Sequence, residues 1–139
     1  MRLVSEWVAE LRESPGDRRI TVVIADDDGP FLESLRRAVD EQPECSVVGT
    51  AGNGLEAIEL VEELRPEVVV IDLHMPLLDG VSAVASMRHD HPVLRLIAIT
   101  ADGSPDLHRA VEEAGADSVV LKDQLFDALF DQLRYVAAG

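Results

Sequence analysis

Short apolar runs alternate with amphipathic stretches along most of this chain. After residue 18 the pattern predicts five strands, each followed by a helix, and the strands fall at 20–25, 46–50, 67–71, 94–99 and 118–121. Strands two to five are short, continuous and rich in β-branched residues, which is typical of parallel strands covered on both faces. With right-handed crossovers, the pattern predicts a doubly wound, five-stranded parallel α/β domain with helices on both faces.

Turn and capping residues mark the ends of the predicted helices. Asp28 is a candidate N-cap for the helix after the first strand, and Pro30 suits its first turn. Asn53-Gly54 opens the second helix and Pro66 ends it. Gly115 ends the fourth helix. These signals agree with the strand positions and leave short connections between elements.

The first 18 residues have a pattern of their own. Val4, Trp7, Val8 and Leu11 recur at the spacing of one helical face, and the segment 14–17 (Ser-Pro-Gly-Asp) then breaks it. We therefore divide the chain into an N-terminal extension, residues 1–18, made of a short amphipathic helix and a linker, and a domain over residues 19–139. Either this helix packs on its own domain, or Trp7 anchors a partner or a second copy.

Composition narrows the classes of function. The 139 residues suit one domain, and 47% of them are apolar, enough for a core. A net charge of −15 argues against direct binding to nucleic acids or to anionic membrane surfaces. The one cysteine, Cys45, cannot form an internal disulfide, and no apolar run approaches the ~18 residues of a membrane span. A cytoplasmic protein is expected.

Reactive side chains follow four of the five predicted strands. Asp26 and Asp27 end the first strand, Asp72 the third, Thr100 the fourth and Lys122 the fifth. The carboxyl ends of parallel strands meet at one edge of the sheet, so these side chains should converge there. Three carboxylates in one place repel each other unless a hard divalent cation separates them, and we expect Mg²⁺.

These residue types fit phosphoryl transfer. A carboxylate can attack phosphorus to form an aspartyl phosphate, and the reaction needs mainly positioning and neutralisation of charge. Asp72 is the better candidate for the nucleophile because it stands alone on a central strand, whereas Asp26 and Asp27 suit a shared metal. The Thr100 hydroxyl and the Lys122 ammonium would contact the phosphoryl oxygens.

Four motifs in this order resemble the receiver domains of bacterial two-component response regulators. They are Asp26-Asp27, the run from Asp72 to Gly80, Thr100-Ala101 and Leu121-Lys122, and the resemblance covers residues 20 to about 137. The resemblance implies a flavodoxin-like sheet with strand order 2-1-3-4-5, which places the first and third strands side by side.

The resemblance also implies a role for each site residue. Asp72 would accept a phosphoryl group from a sensor histidine kinase, and Thr100 and Lys122 would respond to it. The ligands of Mg²⁺ would be Asp27 directly, Asp26 mostly through water, Asp72, and the backbone carbonyl of His74. The domain would be a signalling module rather than an enzyme with a separate substrate, and its output would be altered self-association, as in a homodimer, or altered partner binding.

Three features bear on the output. The segment 47–54 and the ending Leu121-Lys122-Asp123 look most like the subfamily that usually carries a C-terminal helix-turn-helix DNA-binding domain, so transcription regulation is expected. The sequence ends at Gly139, which fits either a stand-alone receiver or the receiver of a longer regulator. Val119 stands where the family usually has Tyr or Phe, so the readout must use contacts other than a moving ring.

Other interpretations remain open. A metal-dependent phosphohydrolase could use Asp72, although such enzymes typically have Asp where this chain has His74. A phosphorylation-independent docking module would fit Val119. The acidic run 26–28 alone also suits a helix N-terminus. The glycine-rich segment 49–54 lacks the spacing of a nucleotide-binding loop. His89, His91 and His108 are expected to be surface residues.

Overall fold

The computed structural model describes residues 19–138. These residues form a five-stranded parallel sheet with order β2-β1-β3-β4-β5, five α-helices and one 3₁₀ turn. The predicted fold class and strand order are confirmed. The amphipathic helix predicted around Trp7 lies outside the described residues, so the division at residue 18 stays a prediction. Within residues 19–138, no helix has the length and apolar character needed to cross a membrane.

The elements alternate along the chain as the sequence pattern predicts. In order they are β1 (Ile20–Ala25), α1 (Gly29–Asp40), β2 (Cys45–Ala51), α2 (Gly54–Leu64), β3 (Val68–Asp72), α3 (Gly80–Asp90), β4 (Arg95–Thr100), α4 (Pro105–Ala114), β5 (Ser118–Leu121), the 3₁₀ turn (Lys122–Gln124) and α5 (Leu125–Ala138).

Three strands differ from the prediction by one residue at each end. β3 and β4 each begin and end one residue later than predicted, because ladder pairing continues through Asp72, which pairs with Ile99. Asp72 is therefore the last residue of its strand rather than the first residue after it. β2 is one residue longer at each end, so Cys45 lies buried inside the strand. Burial raises the pKa of its thiol to about 11, so it stays protonated at neutral pH.

Two cores sandwich the sheet. Val69 and Ile71 point into the core beneath α2, α3 and α4, whereas Val68 and Val70 point into the core beneath α1 and α5. Because successive residues of a strand face opposite sides, a strand covered on both faces must be apolar throughout. This explains the unbroken apolar run of β3.

Side-chain caps start the first three helices just beyond β1, β2 and β3. Asp28 accepts a hydrogen bond from the Phe31 N–H at 3.2 Å, and Asn53 accepts one from the Glu56 N–H at 2.9 Å. Both caps follow the predicted positions. Since the connections are only a few residues long, these helices begin at the same edge of the sheet where the acidic residues lie.

Close backbone packing fixes the loop between β3 and α3, residues 73–79. A Cβ atom on Gly80 would lie 2.5 Å from the carbonyl oxygen of Asp72, and one on Gly54 would overlap the carbonyl oxygen of Leu78. The Gly80 N–H also donates to the Leu73 carbonyl at 3.1 Å. Only glycine permits these approaches, so the loop after Asp72 is held at both ends.

Candidate functional site

Three carboxylates meet at the carboxyl edge of the sheet. β1 and β3 are neighbours, with Ala25 paired to Ile71, so the next residues on each strand, Asp26 and Asp72, come side by side. One carboxylate oxygen from each of Asp26, Asp27 and Asp72 lies within 4.8 Å of the others. Asp26 and Asp72 are buried, at 1% and 3% exposure, whereas Asp27 is exposed. The convergence follows from strand order, as the sequence predicts.

Each buried carboxylate has one oxygen held by the backbone. The Asp28 N–H donates to Asp26 Oδ1 at 2.9 Å, and the His74 N–H donates to Asp72 Oδ1 at 3.2 Å. The other oxygens face Lys122, whose Nζ lies 2.9 Å from Asp26 Oδ2 and 3.4 Å from Asp72 Oδ2. The backbone donors therefore fix the two side chains and leave both Oδ2 atoms directed into the site.

Asp26 Oδ2 is buried, and no donor among residues 19–138 meets it with the angles of a hydrogen bond. Its approach to Lys122 is an ion pair of charges in proximity. A buried carboxylate oxygen in this condition has lone pairs available for a cation. An all-oxygen cluster of carboxylates is the donor set that Mg²⁺ and Ca²⁺ prefer, so the residues fit a hard divalent ion.

The site has an excess of negative charge. Burial raises the pKa of Asp72 above its ordinary value, the His74 N–H opposes that shift, and the neighbouring Asp26 carboxylate adds to it. Burial works against the Lys122 ammonium, but the carboxylates of Asp26 and Asp72 outweigh it and raise its pKa. With three carboxylates facing one ammonium, two negative charges stay uncompensated when all four groups are ionised.

Lys122 has a third contact, which the sequence does not reveal. Its Nζ lies 4.5 Å from the centre of the Phe31 ring, within the range of a cation–π interaction. The helical pattern assigns Phe31 only to the core of α1. The contact depends on α1 and the end of β5 meeting in space, and no spacing along the chain indicates it.

Thr100 is fully buried at the end of β4. Its Oγ1 accepts a hydrogen bond from the Asp102 N–H at 3.0 Å. A hydroxyl can donate once and accept twice, so this bond leaves the Thr100 O–H proton available. The side chain lies one residue beyond Ile99, the β4 partner of Asp72, at the same edge of the sheet.

The loop after Asp72 borders the acidic cluster. The His74 side chain is exposed, whereas Met75 is buried in the core beneath α2 and α3. Asp79 accepts hydrogen bonds from the Ser82 N–H and hydroxyl, both at 2.9 Å, which lower its pKa and cap α3. Asp79 therefore has a capping role and stands apart from the three clustered carboxylates. The predicted role of the His74 carbonyl stays a prediction.

The other histidines lie away from the acidic cluster. His89 is exposed, as expected, and His108 Nε2 lies 3.2 Å from the Asp102 carbonyl. His91 differs from the expected surface residue, because its side chain is only 12% exposed and its Nε2 lies 2.8 Å from Glu62 Oε1. The glycine-rich segment 49–54 serves as the end of β2 and the start of α2.

The chain is similar to known proteins over most of its length. The sequence profile of the response regulator receiver domain matches residues 22–134. The transcriptional regulatory protein DegU of Brevibacillus brevis is 30% identical over 129 residues, which cover 93% of this chain and 55% of that protein. A protein-glutamate methylesterase/protein-glutamine glutaminase of Saccharophagus degradans is 36% identical over 122 residues, covering 78% of this chain and 33% of that protein.

A solved structure shows the same likeness. The signal receiver domain of the response regulator NarL from Mycobacterium tuberculosis superposes with a TM-score of 0.77 at 30% identity, covering 84% of this chain and 98% of that domain. The chain thus corresponds to nearly all of a receiver domain, but it spans only about half the length of the DegU relative and a third of the methylesterase.

Proposed function

Because this chain belongs to the family of response regulator receiver domains, we propose that Asp72 is its phosphoacceptor and that Asp26 and Asp27 share a Mg²⁺ ion with it. The observation that carries the proposal is the cluster of three carboxylates at one sheet edge, two of them buried, with the Lys122 ammonium beside them. Such a cluster is costly to fold unless a cation completes it.

The position of Asp72 favours it as the nucleophile. Its Oδ1 is held by the His74 N–H, which leaves Oδ2 to attack phosphorus. In the transfer, the bond from Asp72 Oδ2 to phosphorus forms, the bond from phosphorus to the donor's imidazole nitrogen breaks, and the electron pair stays on that nitrogen. No general base is needed, because Asp72 attacks as a carboxylate. The donor would be a sensor histidine kinase.

The metal ligands proposed are Asp27 directly, Asp26 mostly through water, Asp72, and the backbone carbonyl of His74. The exposure of Asp27 suits a direct ligand, since an ion can reach it from solvent. The bound Mg²⁺ would supply neutralisation of charge on the phosphoryl oxygens. Asp26 and Asp27 would hold the ion beside Asp72. The His74 N–H holds Asp72 Oδ1, so that Oδ2 faces the ion.

Lys122 and Thr100 would respond to the new group. Lys122 Nζ is closer to Asp26 than to Asp72 before phosphorylation. A phosphoryl group on Asp72 would therefore draw the ammonium away from Asp26 and toward Asp72. The Thr100 hydroxyl has a free proton to donate to a phosphoryl oxygen while it still accepts from the Asp102 N–H. Both movements would reach the surface through the β4–α4 loop and the turn after β5.

Val119 shapes the proposed readout. It is half-buried in β5, pairs with Ala98 of β4, and packs against the core beneath α2, α3 and α4. A valine has no ring to rotate between surface and interior, so we propose that displacement of residues 101–104 and of α4, β5 and α5 transmits the signal. The output would be self-association or partner binding.

The regulated process is proposed from the relatives. DegU, a transcriptional regulatory protein, matches 93% of this chain, which supports a role in transcription regulation. We propose that this role is exercised in the cytoplasm. The methylesterase relative shows that the same kind of domain also occurs in a protein named for an enzymatic activity. Binding of nucleic acid would belong to a partner or a further domain, since the net charge of −15 opposes it here.

Intact mass spectrometry after incubation with acetyl phosphate and Mg²⁺ tests the proposal. We expect one phosphoryl adduct that disappears with a chelator and in Asp72→Asn. Asp79→Asn is the matched control, because Asp79 lies in the same loop but its carboxylate caps α3 through Ser82 and stands apart from the three clustered carboxylates, and it should keep the adduct. A phosphorylated Asp72→Asn protein would refute the assignment.

Two rival functions give different results in the same assay. A phosphohydrolase would turn over an aryl phosphate continuously, with free phosphate accumulating far beyond one equivalent. A phosphorylation-independent docking module would bind Mg²⁺ without forming any adduct, from either acetyl phosphate or a kinase.

A further inference from the structure

Asp102, in the loop between β4 and α4 (residues 101–104), is bonded to both sides of that loop. Its N–H donates to Thr100 Oγ1 at 3.0 Å. Its carboxylate oxygen Oδ1 accepts from the Ser104 N–H at 2.8 Å, and its carbonyl oxygen lies 3.2 Å from His108 Nε2. Since a carbonyl oxygen only accepts, His108 Nε2 carries the hydrogen of this bond. One residue thus connects the candidate site to two points at the start of α4.

The start of α4 lacks the side-chain cap that the first three helices have. Ser104 occupies the N-cap position of α4, but its side chain makes no capping hydrogen bond. The first three helices are each capped by the residue at that position, which is Asp28, Asn53 or Asp79. At α4, Asp102 instead reaches forward from the loop to the Ser104 N–H. The end of α4 nearest the site is therefore held by a residue of the preceding loop.

α4 is also lightly packed between its two ends. Within Pro105–Ala114, Val111 is the one buried residue, whereas four residues of α3 are buried. The far end of α4 is fixed separately, because Arg88 Nε donates to the carbonyl of Gly115 at 2.9 Å. Elements with few buried apolar contacts move at a low cost in free energy. A displacement of the loop would therefore tilt α4 about its fixed end at Gly115.

Phosphorylation of Asp72 would move this loop through Thr100. The Thr100 side chain is fully buried, and its Oγ1 accepts the Asp102 N–H while its own proton is available to a phosphoryl oxygen. When Thr100 turns toward the phosphoryl group, the bonded Asp102 N–H follows it. Asp102 then carries the Ser104 N–H and the His108 ring with it, because both are bonded to the same residue.

We propose that Asp102 is the positioning residue that couples Thr100 to α4, with Ser104 and His108 as its contacts on the helix. The inference rests on the proposed function for its trigger, whereas the three hydrogen bonds that form the coupling are present without phosphate. The coupling needs no aromatic side chain at Val119, because it passes through the loop before α4 rather than through β5. The surface that changes is then the first turn of α4.

Amide hydrogen exchange, measured by NMR, tests the coupling in the metal-free protein without phosphate. Thr100→Val keeps the shape of the side chain but removes the acceptor of the Asp102 N–H. We expect the amides of residues 104 and 108 to exchange about two- to tenfold faster, which corresponds to the loss of one ordinary hydrogen bond. Thr50→Val, an equal change on the edge strand β2, is the control and should leave these amides unchanged.

Asp102→Ala combined with His108→Ala removes both contacts with α4 and should by itself speed this exchange. Adding Thr100→Val to that pair should then change the exchange no further. Asp102→Asn keeps an oxygen that can accept the Ser104 N–H, so with His108 intact it should preserve the response to Thr100→Val. The proposal is overturned if Thr100→Val leaves the exchange unchanged, or if its effect is as large with both alanines present as without them.

The amide chemical shifts of α4 give a second measurement, on addition of acetyl phosphate and Mg²⁺. The unaltered protein and the variant with both alanines should form the same phosphoryl adduct, since Asp102→Ala keeps the backbone N–H that bonds Thr100. The shift changes in α4 should be several-fold smaller in the variant, and equal changes in both proteins would refute the coupling. Absence of an adduct in the unaltered protein would refute the proposed function instead, and the exchange measured without phosphate would still decide the coupling.

Discussion

Two partly buried cations, one at each end of the sheet, have almost the same exposure and opposite surroundings. The side chain of Arg88 is 23% exposed and that of Lys122 is 24% exposed. Arg88 donates hydrogen bonds to four backbone carbonyls and to Asp117, at 2.8 to 3.3 Å. Lys122 forms ion pairs with Asp26 at 2.9 Å and with Asp72 at 3.4 Å, and its ammonium lies over the Phe31 ring.

The comparison distinguishes a charged side chain that holds the structure together, Arg88, from one that belongs to the candidate site, Lys122. Arg88 is surrounded by backbone acceptors, and its carboxylate partner Asp117 also accepts from the Leu96 N–H at 2.8 Å. Both members of the Arg88–Asp117 ion pair therefore have further hydrogen-bond partners. Lys122 instead faces more negative charge than it can neutralise, and burial raises the pKa of Asp72 beside it. The two cations are equally buried, but their partners differ. Arg88 holds loops together at the amino-terminal end of the sheet, whereas the site around Lys122 at the carboxyl end can accept a further cation or a phosphoryl group.

Arg88→Ala is expected to have the largest effect on stability. It removes five hydrogen bonds, four of them to loop carbonyls, and leaves Asp117 with the Leu96 N–H but without the Arg88 guanidinium, which should cost about 3 kcal/mol in the free energy of unfolding. Urea unfolding measures this. Arg109→Ala is the control, because Arg109 is 69% exposed with a 3.6 Å ion pair to Asp106, and it should change stability by less than about 0.5 kcal/mol. Equal effects would refute the structural role.

Asp72→Asn should act in the opposite direction, stabilising the metal-free protein. The folded-state pKa of Asp72 is raised, so the stability linked to its proton is present at low pH and is lost as pH rises through that pKa. At neutral pH the ionised carboxylate is buried and also repels Asp26, so the neutral amide should add on the order of 1 kcal/mol. Urea unfolding in chelator should show this gain shrinking as pH falls. A loss of stability at neutral pH would contradict the charge imbalance.

Lys122→Ala should separate signalling from metal binding. We expect the conformational response to phosphorylation, measured as a change in self-association, to weaken, whereas Mg²⁺ affinity should not fall, because Lys122 pairs with the carboxylates but supplies no metal ligand. Titration calorimetry with Mg²⁺ and sedimentation of the phosphorylated protein measure the two quantities. Arg37→Ala, in an exposed ion pair with Glu33 on α1 and away from the proposed output elements, is the control. Equal loss of both properties would contradict the assigned role.

The sequence alone predicts one of these two ends much better than the other. Asp26, Asp27 and Asp72 could be brought together because strand order alone decides which strand ends are neighbours. Arg88 shows no such signal, since its partners Gly115 and Asp117 lie 27 and 29 residues away and are met through backbone atoms and a loop. A sequence shows which side chains follow each strand, so the acidic cluster could be predicted. It does not show which backbone carbonyls will point toward a distant guanidinium, so the contacts of Arg88 could not.

The preference of Lys122 for Asp26 over Asp72 is also a tertiary property, and Phe31 gives the smallest and sharpest test of it. The ring lies 4.5 Å from Nζ, and a cation–π contact is worth about 0.5–1 kcal/mol at such a site. Phe31→Leu keeps an apolar side chain on α1 but removes that attraction, so the ammonium should settle more fully on the carboxylates and compete with the metal. We expect Mg²⁺ affinity to fall about two- to fivefold.

Phe126→Leu, in a ring pair with Phe130 on α5, is the control and should leave Mg²⁺ affinity unchanged. If Phe31→Leu binds Mg²⁺ as tightly as the unaltered protein, the ring does not restrain Lys122, and the carboxylates alone determine where the ammonium lies.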